Sequence, residues 1–458
     1  MMLQRNPEFL RNVWIALTPG RLLLMPVILT VVFWAVYLAS DDMPSFLAGL
    51  QPTAAIALAI LLFLIGLKEA TDALVSEVNQ QTWDSQRMTA IGPFNMVIGK
   101  IFGGAVYAWY GAVYCGLVMI TAALMMPDTL IHLKQLAIIV LSAVLCYAAS
   151  QCWVLTNVQK NRYRGNLKST SYIVLIIAAL MLFGIIYQVF LSQVSTTTTI
   201  KWYGLNPSWT NFLLFSIVYF LVWSVVGFYR TMRLEFKFKN GPWVWLIFLA
   251  TLWIYGGGFV TETVLEDISL RWLARIYVGF GLAVVLTYLT AFNEPKDVVL
   301  FRKLIFLFQN RHWARFQKRL PLFLVTLAVA VLICIITLIT SIFIIDAVEK
   351  AGTSPAVWYS LAILAFLLRD ITILIYANLR LKAHRADVAI LIYLMMLYVL
   401  VPLILNLLKL EYLLPAFVPH LKGTLLNGLG LVLLQCGLVL FLLYRRWQQV
   451  GEATKYSK

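Results

Sequence analysis

Leu61-Leu-Phe-Leu-Ile-Gly-Leu-Lys-Glu-Ala-Thr-Asp72 is the end of an apolar run that turns abruptly into charge. Leu286-Thr-Tyr-Leu-Thr-Ala-Phe-Asn-Glu-Pro-Lys-Asp297 makes the same transition 225 residues later, so that Glu69 and Asp72 align with Glu294 and Asp297. A second match follows at an offset of 221, where Asn157-Val-Gln-Lys-Asn-Arg-Tyr-Arg164 lies on Asn378-Leu-Arg-Leu-Lys-Ala-His-Arg385. Two matches at nearly one offset, each at an equivalent place between apolar runs, predict an internal duplication. The expected halves are 1–235 and 236–458, each with six spans. An even number of spans gives both halves one orientation, as in parallel repeats.

The rest of the chain fits that frame. Of 458 residues, 62% are apolar and only 12% charged, against about 25% charged in soluble domains. Apolar runs near 21–40, 53–67, 99–125, 136–156, 171–193, 209–230, 242–261, 272–293, 320–346, 355–377, 387–408 and 424–444 predict about twelve transmembrane helices, since some 20 residues cross a ~30 Å hydrocarbon core. The expected fold class is therefore an all-α polytopic membrane protein built as two parallel six-helix repeats. Net charge is +16, and 28 of the 36 Lys and Arg residues fall in segments on the side of the termini. The positive-inside rule then makes both termini cytoplasmic, in a plasma or bacterial inner membrane. That distribution reports topology and implies no nucleic-acid partner, which would need basic residues gathered on a folded domain. All five cysteines lie in apolar runs, so no disulfide framework is expected.

Chemistry-bearing residues concentrate in two segments. At the N-terminus Asn6-Pro7-Glu8 reads as a cap, a proline at the first helical position and an acid in the first turn. Phe9, Leu10, Val13, Trp14 and Leu17 follow on one face, which predicts a helix lying at the interface, either as an anchor or as a working part. The segment from Lys68 to Lys100 carries Glu69, Asp72 and Glu77, then Thr82 as the expected N-cap of a short helix with Trp83, Asp84, Gln86, Arg87 and Met88, closed by Gly92-Pro93. An exposed aromatic knob on such a helix suits docking into a groove on a soluble partner. In the second half Glu294 to Arg319 stands in the same position, with Trp313 and Gln317 in the places of Trp83 and Gln86.

The order of Glu77, Thr82, Met88, Pro93 and Gly99-Lys100 after an interfacial N-terminal helix resembles the membrane subunits of type-2 ABC exporters. The resemblance covers the first half well and the second weakly, because Glu294 to Pro321 lacks the Thr and the Gly-Lys and is more basic. It implies a permease with two halves fused in one chain, cytoplasmic coupling helices and pairing with two ATPase subunits that carry MgATP, while this chain binds no cofactor itself. By that analogy Glu69, Asp72, Glu77, Thr82, Trp83 and Arg87 couple to the ATPase, with Glu294, Asp297, Trp313 and Gln317 as the second contact. Membrane lipid and an unidentified transported substrate complete the partners it implies.

Other readings stay open at this level. The string Gly92 to Gly99-Lys100-Ile101 is not a P-loop, having six residues between its glycines and no Ser or Thr after the lysine. Histidines and acids form no catalytic or metal-binding pattern, although Glu262, Glu266 and Asp267 would be the acids of a membrane-embedded transferase acting on a lipid-linked substrate. Arg369-Asp370 lies within an apolar run, where ionisable residues suggest a proton- or ion-coupled carrier. Against that, neighbours on a helix point about 100° apart and are not expected to face each other. Gly103-Gly104 and Gly256-Gly257-Gly258 are expected to mark close helix packing. The connectors Val194 to Ser208 and Lys409 to Lys422 read equally as aromatic-belt loops or as parts of an outer gate.

Overall fold

A computed structural model describes residues 6–89, 91–161, 179–180, 183–184, 199–262, 265–294, 296, 298–343, 355–380, 383–419 and 429–453. Among them every regular element is helical, and extended pairing is confined to two single bridges, Thr199 with Ser208 and Trp202 with Leu205. Among the described residues ten helices are long and apolar enough to cross a membrane. Their outward faces carry side chains such as Leu23, Leu24, Val31, Leu434 and Phe441, all more than half exposed. A surface of that kind is stable against lipid rather than water, and the chain is a polytopic integral membrane protein.

The chain forms two compact units, residues 1–200 with 206–240, and 201–205 with 241–458. In the first, a short helix α1 (Pro7–Ala16) precedes α2 (Pro19–Leu38). Helix α3 then runs unbroken from Met43 to Asn79, through a π-helical segment at Ile60–Gly66. Two short helices follow, α4 (Thr82–Arg87) and α5 (Pro93–Gly103), then α6 (Val106–Met125), α7 (Thr129–Asn161) and α8 (Trp209–Glu235). The run expected to span from 99 to 125 is thus split at Gly104-Ala105, where Ala105 leaves helical geometry at φ −118°, ψ 30°. The expected span at 171–193 lies almost wholly outside the described residues.

The second unit contains α9 (Trp243–Gly257), α10 (Ile268–Asn293), α11 (Val298–Gln309), α12 (Trp313–Gln317), α13 (Leu322–Phe343) and α14 (Pro355–Arg380). Helix α15 follows as Ala383–Met395, a π segment Met396–Leu400 and Val401–Leu407. A 3-10 turn at Glu411–Ala416 and α16 (Leu431–Ala453) complete it. Helix α9, expected to span 242–261, has only 15 residues, about 22 Å, because it stops at the triple glycine. There the indole of Trp202 occupies the space that a side chain on Gly258 would need, and its Nε1 donates to the Tyr255 carbonyl at 3.1 Å. Side chains at Gly103, Gly104 and Gly256 would likewise crowd Asn12, Ala70 and Val278, so these glycines do mark close packing.

Among the described helices, five pairings of one unit have a counterpart in the other. In the first, α2 packs on α3, α3 on both α6 and α7, α6 on α7, and α7 on α8. In the second, α9 packs on α10, α10 on both α13 and α14, α13 on α14, and α14 on α16.

Candidate functional site

The hairpin that follows α3 is where chemistry-bearing side chains converge, and α1 is docked against it. Asn6 caps α1 as its sequence predicts, its Oδ1 accepting from the amides of Glu8 at 3.1 Å and Phe9 at 3.3 Å. Its Nδ2 donates to the Asn95 carbonyl at 2.6 Å, which ties the cap to α5. The helices touch because α5 presents glycines four residues apart: a Cβ on Gly99 would sit 2.8 Å from Glu8 Cβ, and one on Gly103 2.8 Å from Asn12 Nδ2. The acid in the first turn of α1 is therefore buried, with Glu8 only 3% exposed.

Lys100 is the centre of the resulting ion cluster. Only 1% exposed, its Nζ lies 2.6 Å from Glu8 Oε1, pairs with Glu77 and donates to Gln86 Oε1 at 3.2 Å. The same ammonium stands 5.6 Å from the centre of the Trp83 ring, a cation–π arrangement. Arg11 closes the circuit from the edge, pairing with Glu8 at 3.0 Å and with Glu77. Two acids and two bases thus balance, as burial requires. Gln151 of α7 donates to the Lys100 carbonyl at 2.9 Å, satisfying backbone beside the break in the helix.

A second ion group adjoins the first. Arg87 lies 3.0 Å from Glu235 Oε2 at the end of α8 and also pairs with Asp84, while Trp83 Nε1 donates to Glu235 at 3.3 Å. Trp83 is consequently 3% exposed, and the expected aromatic knob is corrected: its indole fastens α4 inward. Thr82 is corrected too, for Gln81, at φ 61°, occupies the N-cap position, while the Thr82 hydroxyl donates to the Glu77 carbonyl at 3.2 Å. Of the acids on α3, Glu77 alone enters the cluster, and Glu69 and Asp72 stay half-buried outside it. What α4 and the turn after it offer to water is Thr82, Asp84, Ser85, Met88 and Thr89.

The corresponding segment of the second unit has no such ion cluster among its described residues. Glu294 instead caps α13, accepting from the amides of Leu322 at 2.9 Å and Phe323 at 3.3 Å. Burial pushes its carboxyl up from the ordinary value, against the opposing pull of those amides and Lys296. Trp313 is half exposed in an aromatic group with Phe308 and Phe316, Gln317 is exposed, and Asp297 lies outside the described residues.

Deep in the second unit Arg369 and Asp370 do face each other, contrary to expectation. The 100° rule describes Cα–Cβ directions, and the long arginine side chain bends past it to place Nε 2.9 Å from Asp370 Oδ1. Arg369 also donates to Gln435 Oε1 at 2.7 Å and to the Tyr398 hydroxyl at 3.0 Å. Asp370 Oδ2 accepts from Tyr288 at 2.7 Å and Tyr398 at 2.6 Å. The pair, at most 2% exposed, thereby joins α10, α14, α15 and α16. Sequence reading missed Tyr288, Tyr398 and Gln435, single polar residues in apolar runs whose need for a partner was the available signal.

Two of the remaining acids, Asp267 and Glu262, make local structural contacts. Asp267 caps α10 through the Ser269 hydroxyl and amide, which hold its carboxyl below the ordinary range, and Glu262 pairs with Arg271 at 2.8 Å. Among the described residues no three His, Cys, Asp or Glu side chains are grouped to hold a metal. Comparison with known families, curated proteins and solved structures gives no match.

Proposed function

We propose that this chain is the fused permease of an ABC exporter, coupling ATP hydrolysis on separate subunits to movement of a substrate across the membrane. The hairpin after α3 carries the reading. Helix α3 has 37 residues, about 55 Å at 1.5 Å per residue, and so outruns a ~30 Å core. Its far end carries Glu77, ion-paired to α1 and α5, and then a polar-tipped short helix tied to α5 by the Gln86–Lys100 hydrogen bond and to α8 by the Arg87–Glu235 pair. A force applied at that tip passes into the spans instead of bending a loop. The recurrence of five helix pairings in both units supports a duplicated permease half, with both termini cytoplasmic by the charge distribution.

On this reading MgATP sits on the partner. Asp84, Ser85, Met88 and Thr89 replace Trp83 as the direct contacts, while Glu77, Trp83 and Arg87 hold the tip rigid behind them. Purification from native membranes in mild detergent, followed by intact mass, tests it: a Walker-motif ATPase should accompany the chain, and a cysteine at Met88 should cross-link to it. A stable particle free of any ATPase with and without ATP would sink the proposal.

The Arg369–Asp370 group favours a second reading, a proton- or ion-coupled carrier. The Asp370→Asn variant separates the two: transport lost while partner ATPase activity persists would favour the carrier.

A further inference from the structure

We propose that the hairpin between α10 and α13 is a binding surface for anionic phospholipid headgroups, unlike its counterpart after α3. Three observations converge on that occupant. The first is charge: Val298 to Arg319 contains Arg302, Lys303, Arg311, Arg315, Lys318 and Arg319 and no acid, a distribution that attracts an anionic leaflet. The second is what stands beside those cations. Leu304 and Leu307 are buried at 5%, whereas Val299, Ile305, Phe306 and Phe308 remain 47–70% exposed. Trp313 is 51% exposed and lies edge-on to Phe308 at 5.4 Å between ring centres. Apolar side chains interleaved with cations, and an indole among them, are the composition of an interfacial helix.

The third observation is reach. Helix α10 has 26 residues, about 39 Å, and so outruns a ~30 Å core by much less than the 37-residue α3 does. Helix α11 starts at Val298, five residues past Asn293, and α12 stops at Gln317, five residues short of Leu322. Both ends of the hairpin are therefore tied to spans by short links. The α4–α5 segment differs in having a long helical stalk, an acid, Asp84, beside its bases, and among its described residues only Met88 and Phe94 as exposed large apolar side chains. One hairpin suits water and a soluble protein, the other a lipid surface.

A nitroxide at Phe306→Cys in the full chain, with Met88→Cys as comparison and the wild-type chain as labelling blank, reports which medium each hairpin meets. The chain is placed in nanodiscs of phosphatidylcholine alone or with phosphatidylglycerol. The Phe306 label should be reached by oxygen and shielded from a water-soluble nickel complex, more so with phosphatidylglycerol, while the Met88 label stays open to nickel in both. Neutralising the exposed cations as K303Q/R311Q/R315Q/K318Q should abolish the phosphatidylglycerol dependence. Nickel access at Phe306 equal to that at Met88, equal depth in both bilayers, or shielding that appears only on adding a soluble protein would each overturn the proposal. The outcome is independent of ATPase co-purification, so the two readings fail separately.

Discussion

Lys100 shows how much of this protein is decided by single buried charges. Replacing it with methionine leaves the volume roughly filled but strands one carboxylate of Glu8 and Glu77 beyond what Arg11 neutralises. Breaking a buried pair from one side costs about 3–5 kcal/mol, and the thermal midpoint of Lys100→Met in detergent should fall accordingly. Adding Glu8→Gln restores the balance and should recover part of the loss; an unchanged midpoint in the single variant would refute the cluster. Arg11→Ala should cost less than Lys100→Met, because its side chain is 37% exposed and water can take its place at the edge of the cluster. The ingredients of the cluster were legible as residues, since Glu77, Gly99 and Lys100 all stand out from their surroundings. Their convergence was not, because the Trp83–Glu235 bond joins positions 152 residues apart. A tryptophan in a polar loop looks exposed until its distant partner is known. Arg369 and Asp370 were misjudged for another reason: a rule about backbone direction was applied to a side chain long enough to evade it.

At the scale of elements, apolar runs located most helices because burial in lipid is a local requirement that each segment meets alone. Breaks and extensions depend on neighbours, which is why the stop of α9 under Trp202 and the split at Gly104 escaped a reading of hydropathy. The π segment that presents Tyr398 left no sequence signature at all. Glu294 gives the element-level test. Its carboxyl titrates above the ordinary 4.5, so between that pH and its raised value the folded chain holds a proton that the unfolded chain releases. Stability contributed by this group is therefore greatest at low pH and declines as pH rises through that window. Glu294→Gln keeps an acceptor for the α13 amides without the charge and should flatten that slope. Glu294→Ala removes the acceptor and should cost about 1 kcal/mol. Thermal midpoints of the three chains from pH 5 upward check this, and parallel slopes for wild type and Glu294→Gln would contradict it.

Across the whole molecule, two units that share five helix pairings carry hairpins of opposite surface chemistry. On the proposed reading of two copied halves, duplication accounts for the shared pairings, since a helix that buries its face against a neighbour keeps that neighbour when copied. The two units differ most where packing does not constrain sequence, at the exposed tips. If the proposed reading holds, the tips divide the labour: α4 receives the stroke of the ATPase, and the α11–α12 hairpin holds the second unit to the membrane surface. The double variant Ser85→Lys/Met88→Glu changes only exposed side chains on and just after α4 and leaves the Asp84–Arg87–Glu235 group intact. It should release the ATPase in pull-down from membranes while leaving the thermal midpoint within about 0.5 kcal/mol of wild type in stability terms. Neutralising the α11–α12 cations should do the reverse, retaining the ATPase and altering only the response to lipid. Loss of the ATPase from both variants alike would mean that the hairpins share one partner and that the asymmetry in their surfaces has no functional counterpart.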